Sequence, residues 1–291
     1  MKVLVIGRHG QVAESLASIV QEMGDVDLVR VGRPDVDLEV EDALARAIAE
    51  ARPNVVINAA AYTAVDRAES EESTAHRINA DAPGEGAIAA AELGIPFIQL
   101  STDYVFDGSG ERAWREADPV EPINAYGRTK ADGEAQVLAA DPRHIVVRTS
   151  WVVSPFGHNF VKSMLRLAAE RDEIAVVDDQ RGCPTSALDL AKALLQLARR
   201  AVESEAAGIF HLAAAETASW ADLAEHVMAC SAEVGGPVAR IRRVTSREFP
   251  TDAIRPSNSV LDCSKARDEL GIWLPRWRDS TAAIVAAVVR K

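Results

Sequence analysis

The sequence has few residues of the kinds that cross-link a chain or bind a metal. Cys183, Cys230 and Cys263 are its only cysteines among 291 residues, and they are far apart and in no Cys-x-x-Cys spacing. Such spacing supports neither a disulfide framework nor a thiolate zinc site. The six histidines show no His-Glu-x-x-His or comparable ligand spacing, so the sequence predicts no catalytic metal.

Long apolar runs and an excess of positive charge are also missing. The first apolar run, Val3 to Ile6, is too short for the core of a cleaved signal, and no stretch reaches the length of a membrane span. The formal net charge of -12 argues against nucleic acid as a partner but leaves anionic small molecules, which a few local arginines can bind. We therefore expect a cytoplasmic protein, monomeric or homodimeric, that binds neither nucleic acid nor a membrane.

The first half of the chain alternates short β-branched runs with longer amphipathic stretches. The runs are KVLVI (2–6), VDLVRV (26–31), NVVINA (54–59), PFIQLS (96–101) and HIVVRTS (144–150), separated by helical patterns at 11–23, 39–52, 66–93 and 125–140. This order predicts an α/β fold in which residues 1–150 form a Rossmann-type doubly wound parallel sheet. Residues 151–291 are predicted to form mainly a smaller C-terminal α/β substrate-binding lobe, with segments between about 174 and 215 returning to the first domain.

A glycine motif, G-x-x-G-x-x-A, stands at residues 7–13, where the first strand meets the first helix. Gly7 and Gly10 there allow a tight turn and a close backbone approach to a pyrophosphate, which the helix N-terminus stabilises. The alternative is a glycine turn that serves structure only. The flanking strand and helix favour a dinucleotide site.

The end of the second predicted strand bears on the choice of nicotinamide. Sites that prefer NAD tend to place an acidic residue there, whereas this chain has Arg30 and Arg33, with Arg8 in the glycine loop. This favours a 2′-phosphate and hence NADPH, with NADH possible. Each arginine has the alternative of being a solvated surface charge, and Asp35 and Asp37 lie close enough to weaken the effect.

Polar residues gather where the fourth predicted strand ends. Thr102 follows that strand directly, and Tyr126 and Lys130 stand four residues apart at the start of a helix. The two side chains project from one helix face, so the ammonium can lower the phenol's pKa while it also reaches the cofactor ribose. Together with the threonine hydroxyl they predict a proton-transfer site. A Tyr-x-x-x-Lys pair alone is common, but here it follows a dinucleotide loop in the expected order.

These motifs carry a resemblance that covers nearly the whole chain. The segments GRHGQVA, INAAAYTAVDRAE, STDYVFDG, YGRTK, RTSWV, NFVKSMLRLA, DDQRGCPTS and RPSNSVLD resemble the dTDP-4-dehydrorhamnose reductase family, a group of extended short-chain dehydrogenases/reductases related to NAD-dependent epimerases and dehydratases. The resemblance implies reduction of the C4 ketone of a dTDP-4-keto-6-deoxysugar by NADPH or NADH. It assigns Tyr126 as proton donor, Lys130 as its partner and ribose ligand, and Thr102 as the hydroxyl that tunes the phenol.

The resemblance also implies which residues contact the ligands. Asp103, Tyr104 and Trp151 match positions that line the sugar nucleotide, as does Thr102, and the cofactor contacts match Gly10, Gln11, Val12, Asp37, Leu38, Ala61, Tyr62 and Thr63. Two positions depart from the family pattern, because Ala13 replaces the third glycine and Ser15 replaces a glutamate associated with a magnesium-bridged dimer. We therefore carry over neither the metal nor that dimer.

Several alternatives remain open at this stage. One alternative function is that of a different nucleotide-sugar ketoreductase or epimerase. Another is that of a non-catalytic dinucleotide-binding regulatory subunit, although such a subunit has no need of Thr102, Tyr126 and Lys130 together. Tyr104 and Trp151 have the alternative of being core aromatics. Asn159 is interpreted as a helix cap in preference to a diphosphate ligand. Arg255 is a candidate phosphate contact or a structural salt bridge.

Overall fold

The computed structural model describes residues 1–290, and its largest element is a sheet of six parallel strands. The strands of the chain are β1 (Lys2–Ile6), β2 (Asp27–Val31), β3 (Val55–Asn58), β4 (Phe97–Thr102), β5 (Ile145–Thr149), β6 (Val152–Val153), β7 (Glu173–Val177), β8 (Arg181–Gly182), β9 (Thr185–Ser186), β10 (Gly208–His211), β11 (Ala218–Ser219) and β12 (Arg240–Val244). The six-stranded sheet has the order β2-β1-β3-β4-β5-β10. This confirms the predicted doubly wound parallel fold.

Helices cover both faces of this sheet because its central strands are apolar on both sides. The helices of the chain are α1 (Gln11–Val20), α2 (Ala43–Ala51), α3 (Val65–Ala68), α4 (Glu72–His76), α5 (Ala82–Glu92), α6 (Ala125–Ala140), α7 (Phe160–Ala168), α8 (Ala187–Val202), α9 (Trp220–Glu233), α10 (Ser264–Leu270) and α11 (Trp277–Val289). Alternate strand residues such as Val5 and Ile57 pack against α1 and α8, whereas Leu4 and Val56 pack against the side of α2 and α5.

The chain reverses its direction across the sheet at β1. Strand β2 lies on one side of β1 and β3 on the other, in register from Val3 opposite Val55 to Ile6 opposite Asn58. Such a reversal leaves a crevice at the carboxyl ends of the strands, where ligands of open α/β sheets bind.

The second lobe is built around a short parallel pair, β7 with β12, and the helices α7, α9 and α11. Trp277 is fully buried in its core. Two further small pairs, β6 with β9 and β8 with β11, lie where the chain passes between the lobes.

The segment predicted to return to the first domain divides between the two lobes. Helix α8 packs on α1, and β10 pairs with β5 at the edge of the large sheet. Strand β7, however, pairs with β12 in the second lobe, because its alternating burial suits a strand with one solvated face. The predicted helix at 66–93 is broken into α3, α4, a π-helical turn at Arg77–Asp81 and α5, which has a proline in its first turn. Helix α10 was not predicted.

Candidate active site

The loop between β1 and α1 opens into a cavity of about 460 Å³ at the crevice of the sheet. Gly7 has φ 118°, a conformation that side-chain-bearing residues rarely adopt, and its α-carbon faces the backbone of Ala59 and Ala60. Eight of the residues predicted to contact a cofactor line this cavity: Gly7, Arg8, Arg33, Asp37, Leu38, Ala61, Tyr62 and Thr63. They come from three segments that are far apart in the sequence and that the crevice brings together.

The other predicted cofactor residues of the first two strands and their loops lie outside this lining. Gly10 immediately precedes α1, and Val12 is buried in the core. The Gln11 side chain turns towards the second lobe, where it donates to the Val152 carbonyl at 3.1 Å and accepts from Ser154 Oγ at 2.8 Å. Gln11 therefore joins the glycine loop to the second lobe.

The three arginines predicted to select a 2′-phosphate have different surroundings. Arg8 pairs with Asp35 at 2.5 Å, and Arg33, 70% exposed, lies 3.6 Å from Glu39. Both line the cavity. Arg30 lies behind the loop, where it donates to the Arg8 carbonyl at 3.0 Å and pairs with Glu14 at 3.1 Å. Arg30 thus supports the loop, and Arg8 and Arg33 remain the arginines placed to meet an anion.

The predicted proton-transfer residues meet where β4 ends against α6. The Tyr126 phenol lies beside the Thr102 hydroxyl. Lys130 Nζ, buried, donates to the Leu100 carbonyl at 2.6 Å. Asn124 fixes the start of the helix because its side chain accepts from Gly127 N at 2.8 Å.

The electrostatics of this cluster differ from the prediction. Burial raises the pKa of Tyr126 to about 12, and the neighbouring Thr102 side chain opposes that rise. Burial also lowers the pKa of Lys130 to about 8. The expected lowering of the phenol pKa by the ammonium is absent, because Lys130 bonds to the β4 backbone and desolvation is the largest effect on both groups.

Asp103 is buried beneath the cluster. Its carboxylate accepts hydrogen bonds from Thr102 Oγ1 at 2.9 Å and from Ser150 Oγ at 2.8 Å. Burial nevertheless raises the pKa of Asp103 to about 6. Asp103 is only 2% exposed, and it supports Thr102 from below. The resemblance had instead implied a contact between Asp103 and the sugar nucleotide.

Tyr104 connects the cluster to the second lobe. Its ring stands edge-on to Tyr126, with centroids 6.0 Å apart, and its hydroxyl is hydrogen-bonded to Arg255. Arg255 also forms a two-pronged pair with Asp66 of α3 at 2.7 and 3.0 Å. The structure therefore confirms the salt bridge that was one interpretation of Arg255, and it leaves this guanidinium on the wall of a second cavity.

That second cavity, of about 620 Å³, lies in the second lobe and has a largely apolar wall. Trp220 lines it and is stacked on Trp151, with ring centroids 3.6 Å apart and planes 6° from parallel. Trp151 has φ 45°, and its Cε2, Nε1 and Cζ2 atoms lie against Gly182. Trp151 is only 9% exposed, and it directly follows Ser150, whose hydroxyl donates to Asp103.

Sequence reasoning missed several residues that hold the site. Asn79, in the π-helical turn, accepts from Tyr62 N at 2.8 Å and donates to Thr129 Oγ1 at 3.0 Å, so it ties the cofactor segment to α6. No local pattern marks it. Trp220 was also missed, although the glycine of DDQRGCPTS, against which its partner Trp151 packs, belongs to a motif that was quoted.

The other residues singled out in the sequence have capping or packing roles. Asn159 caps α7 by accepting from Lys162 N at 3.2 Å, as preferred, and its amide also donates to Gln11 at 2.9 Å. Ser15 is buried and donates to the Gln11 carbonyl at 2.8 Å. Ala13 is buried against Gly7. Within residues 1–290 there is no cluster of three potential metal ligands and no helix long and apolar enough to cross a membrane.

Comparison with known proteins identifies the family of this chain. The model of the family described as RmlD substrate binding domain matches residues 1–290. The chain belongs to this family. Its relatives include the dTDP-4-dehydrorhamnose reductase of Sinorhizobium fredii, 46% identical over 292 residues that cover 99% of this chain and 98% of that protein. The dTDP-4-dehydrorhamnose reductase of Escherichia coli K12 is 39% identical over 96% of this chain and 95% of that protein.

Solved structures of the same family agree in fold over the whole length. The dTDP-4-dehydrorhamnose reductase of Clostridium acetobutylicum has a TM-score of 0.90 and 36% identity, covering 98% of each chain. The Bacillus anthracis dTDP-4-dehydrorhamnose reductase, solved in complex with NADP, has a TM-score of 0.89 and 31% identity, covering 97% of this chain and 98% of that one.

Proposed function

We propose that this protein is a dTDP-4-dehydrorhamnose reductase, which reduces the C4 ketone of a dTDP-4-keto-6-deoxy-L-sugar to give dTDP-L-rhamnose. The observation that carries the proposal is the position of Thr102, Tyr126 and Lys130 at the carboxyl edge of the sheet, with one cavity at the glycine loop and another in the second lobe. An enzyme for this reaction needs a dinucleotide and a nucleotide sugar to meet at a proton donor, and its relatives bear that name.

The chain's own residues supply the proton and the orientation. NADPH supplies the hydride when it is bound. The Tyr126 phenol, whose raised pKa of about 12 keeps it protonated at neutral pH, donates its proton to the oxygen of the ketone as negative charge develops there. Thr102 holds the phenol, and Asp103 holds Thr102. Hydroxyl donors fixed before the reaction stabilise that charge without reorganisation.

Lys130 and the glycine loop are proposed to hold the dinucleotide. Lys130 lies one helical turn beyond Tyr126, and its donor bond to Leu100 leaves further ammonium protons for ribose hydroxyls. Gly7, Asp37, Leu38, Ala61, Tyr62 and Thr63, which line the cavity, would hold the dinucleotide, and the start of α1 at Gly10, Gln11 and Val12 would meet its pyrophosphate through backbone N–H groups.

NADPH is the proposed preferred cofactor, with NADH as a weaker alternative. Arg8 and Arg33 line the cavity, and Asp35, which would repel a 2′-phosphate, is paired with Arg8. An arginine beside a phosphate forms a charge-assisted pair stronger than a neutral hydrogen bond. We expect a preference of about tenfold, equivalent to roughly 1.4 kcal/mol.

The proposed sugar site extends from the catalytic cluster into the second lobe. Thr102 and Tyr104 adjoin Tyr126, and Trp151 leads from them to Trp220 on the wall of the second cavity. Arg255, one of two arginines that line this cavity, is proposed to meet the diphosphate, in exchange for part of its pairing with Asp66.

The deciding experiment follows oxidation of NADPH with dTDP-4-dehydrorhamnose and identifies the product by NMR. The Tyr126→Phe variant serves as control, since it keeps the ring and should lose about a hundred- to ten-thousandfold of turnover while it still binds NADPH. Turnover of another 4-keto sugar with none of this substrate would indicate a different ketoreductase. NADPH binding with no turnover of any such sugar would indicate a regulatory protein.

A further inference from the structure

Three consecutive residues at the end of β4 contact one face of α6. The Leu100 carbonyl accepts from Lys130, the Ser101 hydroxyl donates to Glu134 at 2.5 Å, and the Thr102 hydroxyl lies beside Tyr126. Positions 126, 130 and 134 are one turn apart, so they share a helix face. Two of these contacts belong to the proposed reaction, and the third, through Glu134, has no role in it so far.

Glu134 is a buried carboxylate in an ion pair. It is 4% exposed, and Arg148 of β5, 1% exposed, binds it with Nη2 at 2.6 Å and Nε at 2.9 Å. Arg148 also lies over the Phe106 ring, 5.0 Å from its centroid. Burial of two charges is costly unless each is well paired, so such a pair is weak evidence for stability and calls for another reason.

We propose that Glu134 is a positioning residue for the reaction, which keeps Lys130 charged and holds the end of β4 against α6 through Ser101. This inference rests on the proposed function. Its electrostatic part follows from the helix spacing, because Lys130 is buried one turn from Glu134 and donates a hydrogen bond to a neutral carbonyl. Its geometric part follows from Ser101, since the residue bonded to Glu134 immediately precedes Thr102.

The charge of Glu134 opposes the effect of burial on its neighbour. Burial lowers the pKa of Lys130 to about 8, and Glu134 acts to raise it. Removal of the carboxylate charge therefore lowers the pKa of Lys130 further, and the ammonium is lost at a lower pH. Loss of the Arg148 charge acts in the opposite direction, because it leaves Glu134 without its other cation.

The other charged groups packed around α6 are engaged elsewhere. Asp103, in the turn after β4, is held by hydroxyls, and Glu85 of α5 pairs with Arg77 at 2.6 Å. On the outer face, His76 of α4 lies 3.4 Å from Asp132. Asp132 is 59% exposed and only two residues from Glu134, so Asp132→Asn is a matched control that removes a carboxylate from the same helix.

The test measures the pH dependence of NADPH affinity, without any sugar, for the full-length protein and its variants between about pH 6 and about pH 11, the range that spans the ordinary and lowered lysine values. We expect the alkaline loss of affinity to move down by about one pH unit in Glu134→Gln, because Arg148 already neutralises part of the carboxylate. The pH of this alkaline loss should rise in Arg148→Met and stay unchanged in Asp132→Asn. Ser101→Ala should leave it in place and lower kcat, with rescue by Ser101→Thr.

A merely structural ion pair gives a different outcome. Glu134→Gln and Arg148→Met would then both lower the melting temperature and leave the alkaline limb unmoved, which would overturn the proposal. If Glu134→Gln does not fold, the double variant Glu134→Gln/Arg148→Met, which removes both buried charges, replaces it. This double variant must lose NADPH affinity at a lower alkaline pH than Arg148→Met alone. Because no sugar is present, this result is independent of the proposed substrate, and failure of the proposed function would appear instead as absence of ketone reduction by the wild type.

Discussion

Gly182→Ala should damage the site through Trp151 without touching any ligand. A Cβ added at Gly182 would lie 2.4 Å from Cε2, 2.6 Å from Nε1 and 2.8 Å from Cζ2 of Trp151, closer than real Cβ contacts. The Trp220 ring, stacked on the indole at 3.6 Å between centroids, restricts how the indole can move away. One methyl group must therefore tilt the indole or part the two rings.

The expected loss of stability follows from this crowded contact. Overpacking a filled core costs about 1–3 kcal/mol, and the aromatic pair itself contributes about 0.5–1.5 kcal/mol. For a chain of this size, we expect the melting temperature to fall by roughly 2–4 °C for each kcal/mol. A shift of about 1 Å in a positioning group can reduce kcat/KM by about a hundredfold. Cofactor affinity should be unchanged, since Gly182 lies outside the cavity at the glycine loop.

The assay compares kcat/KM for the dTDP-sugar with the NADPH dissociation constant of the same variant. Gly24→Ala is the control, because nothing lies within 4 Å of a Cβ added there. If Gly182→Ala kept kcat/KM within about twofold of the wild type while Gly24→Ala did the same, the contact between Gly182 and the indole would not position the site.

Three further changes test other parts of the site. Lys130→Met removes a charged donor and should weaken NADPH binding by about tenfold or more, measured by calorimetry, along with turnover; unchanged affinity would remove Lys130 from the cofactor site. Arg8→Ala/Arg33→Ala should abolish the preference for NADPH over NADH, whereas Arg30→Ala should retain it because Arg30 pairs with Glu14; a lost preference in Arg30→Ala alone would reverse these roles. Asp103 has a folded pKa of about 6 against an ordinary 3.8, so its neutral form stabilises the fold below the unfolded value and that stability is lost as pH rises through about 6. Between about pH 5 and about pH 8 this loss amounts to about 1.4 kcal/mol, and Asp103→Asn should escape it in urea unfolding; equal losses in both proteins would show that Asp103 titrates normally.

The order of elements in the first domain could be predicted from the sequence because each strand there is a continuous apolar run between helical patterns. The strand that begins at Lys2 and the helix Ala125–Ala140 lie where the patterns predicted them. The prediction of one helix at 66–93 was wrong, because the chain leaves helical geometry between Ala68 and Glu72 and forms a π-helical turn at Arg77–Asp81, and periodicity alone locates neither interruption.

The residue types for proton transfer and dinucleotide binding were also determined by the sequence. A phenol and an amine one helical turn apart must share a face, and glycines after a strand must form a turn. These are local constraints, and they do not depend on which residues of distant segments pack against the motifs.

The tertiary structure decided which residues from distant segments pair with these groups and pack on them. Only the fold brings Arg30 to Glu14 and leaves Arg33 on the cavity, and only the fold places Trp220 on Trp151. The same is true of Lys130, whose partner is the Leu100 carbonyl and whose charged neighbour is Glu134. Pairing and burial depend on groups tens of residues away, and desolvation, the largest influence on Tyr126 and Lys130, exists only when the chain has closed around them.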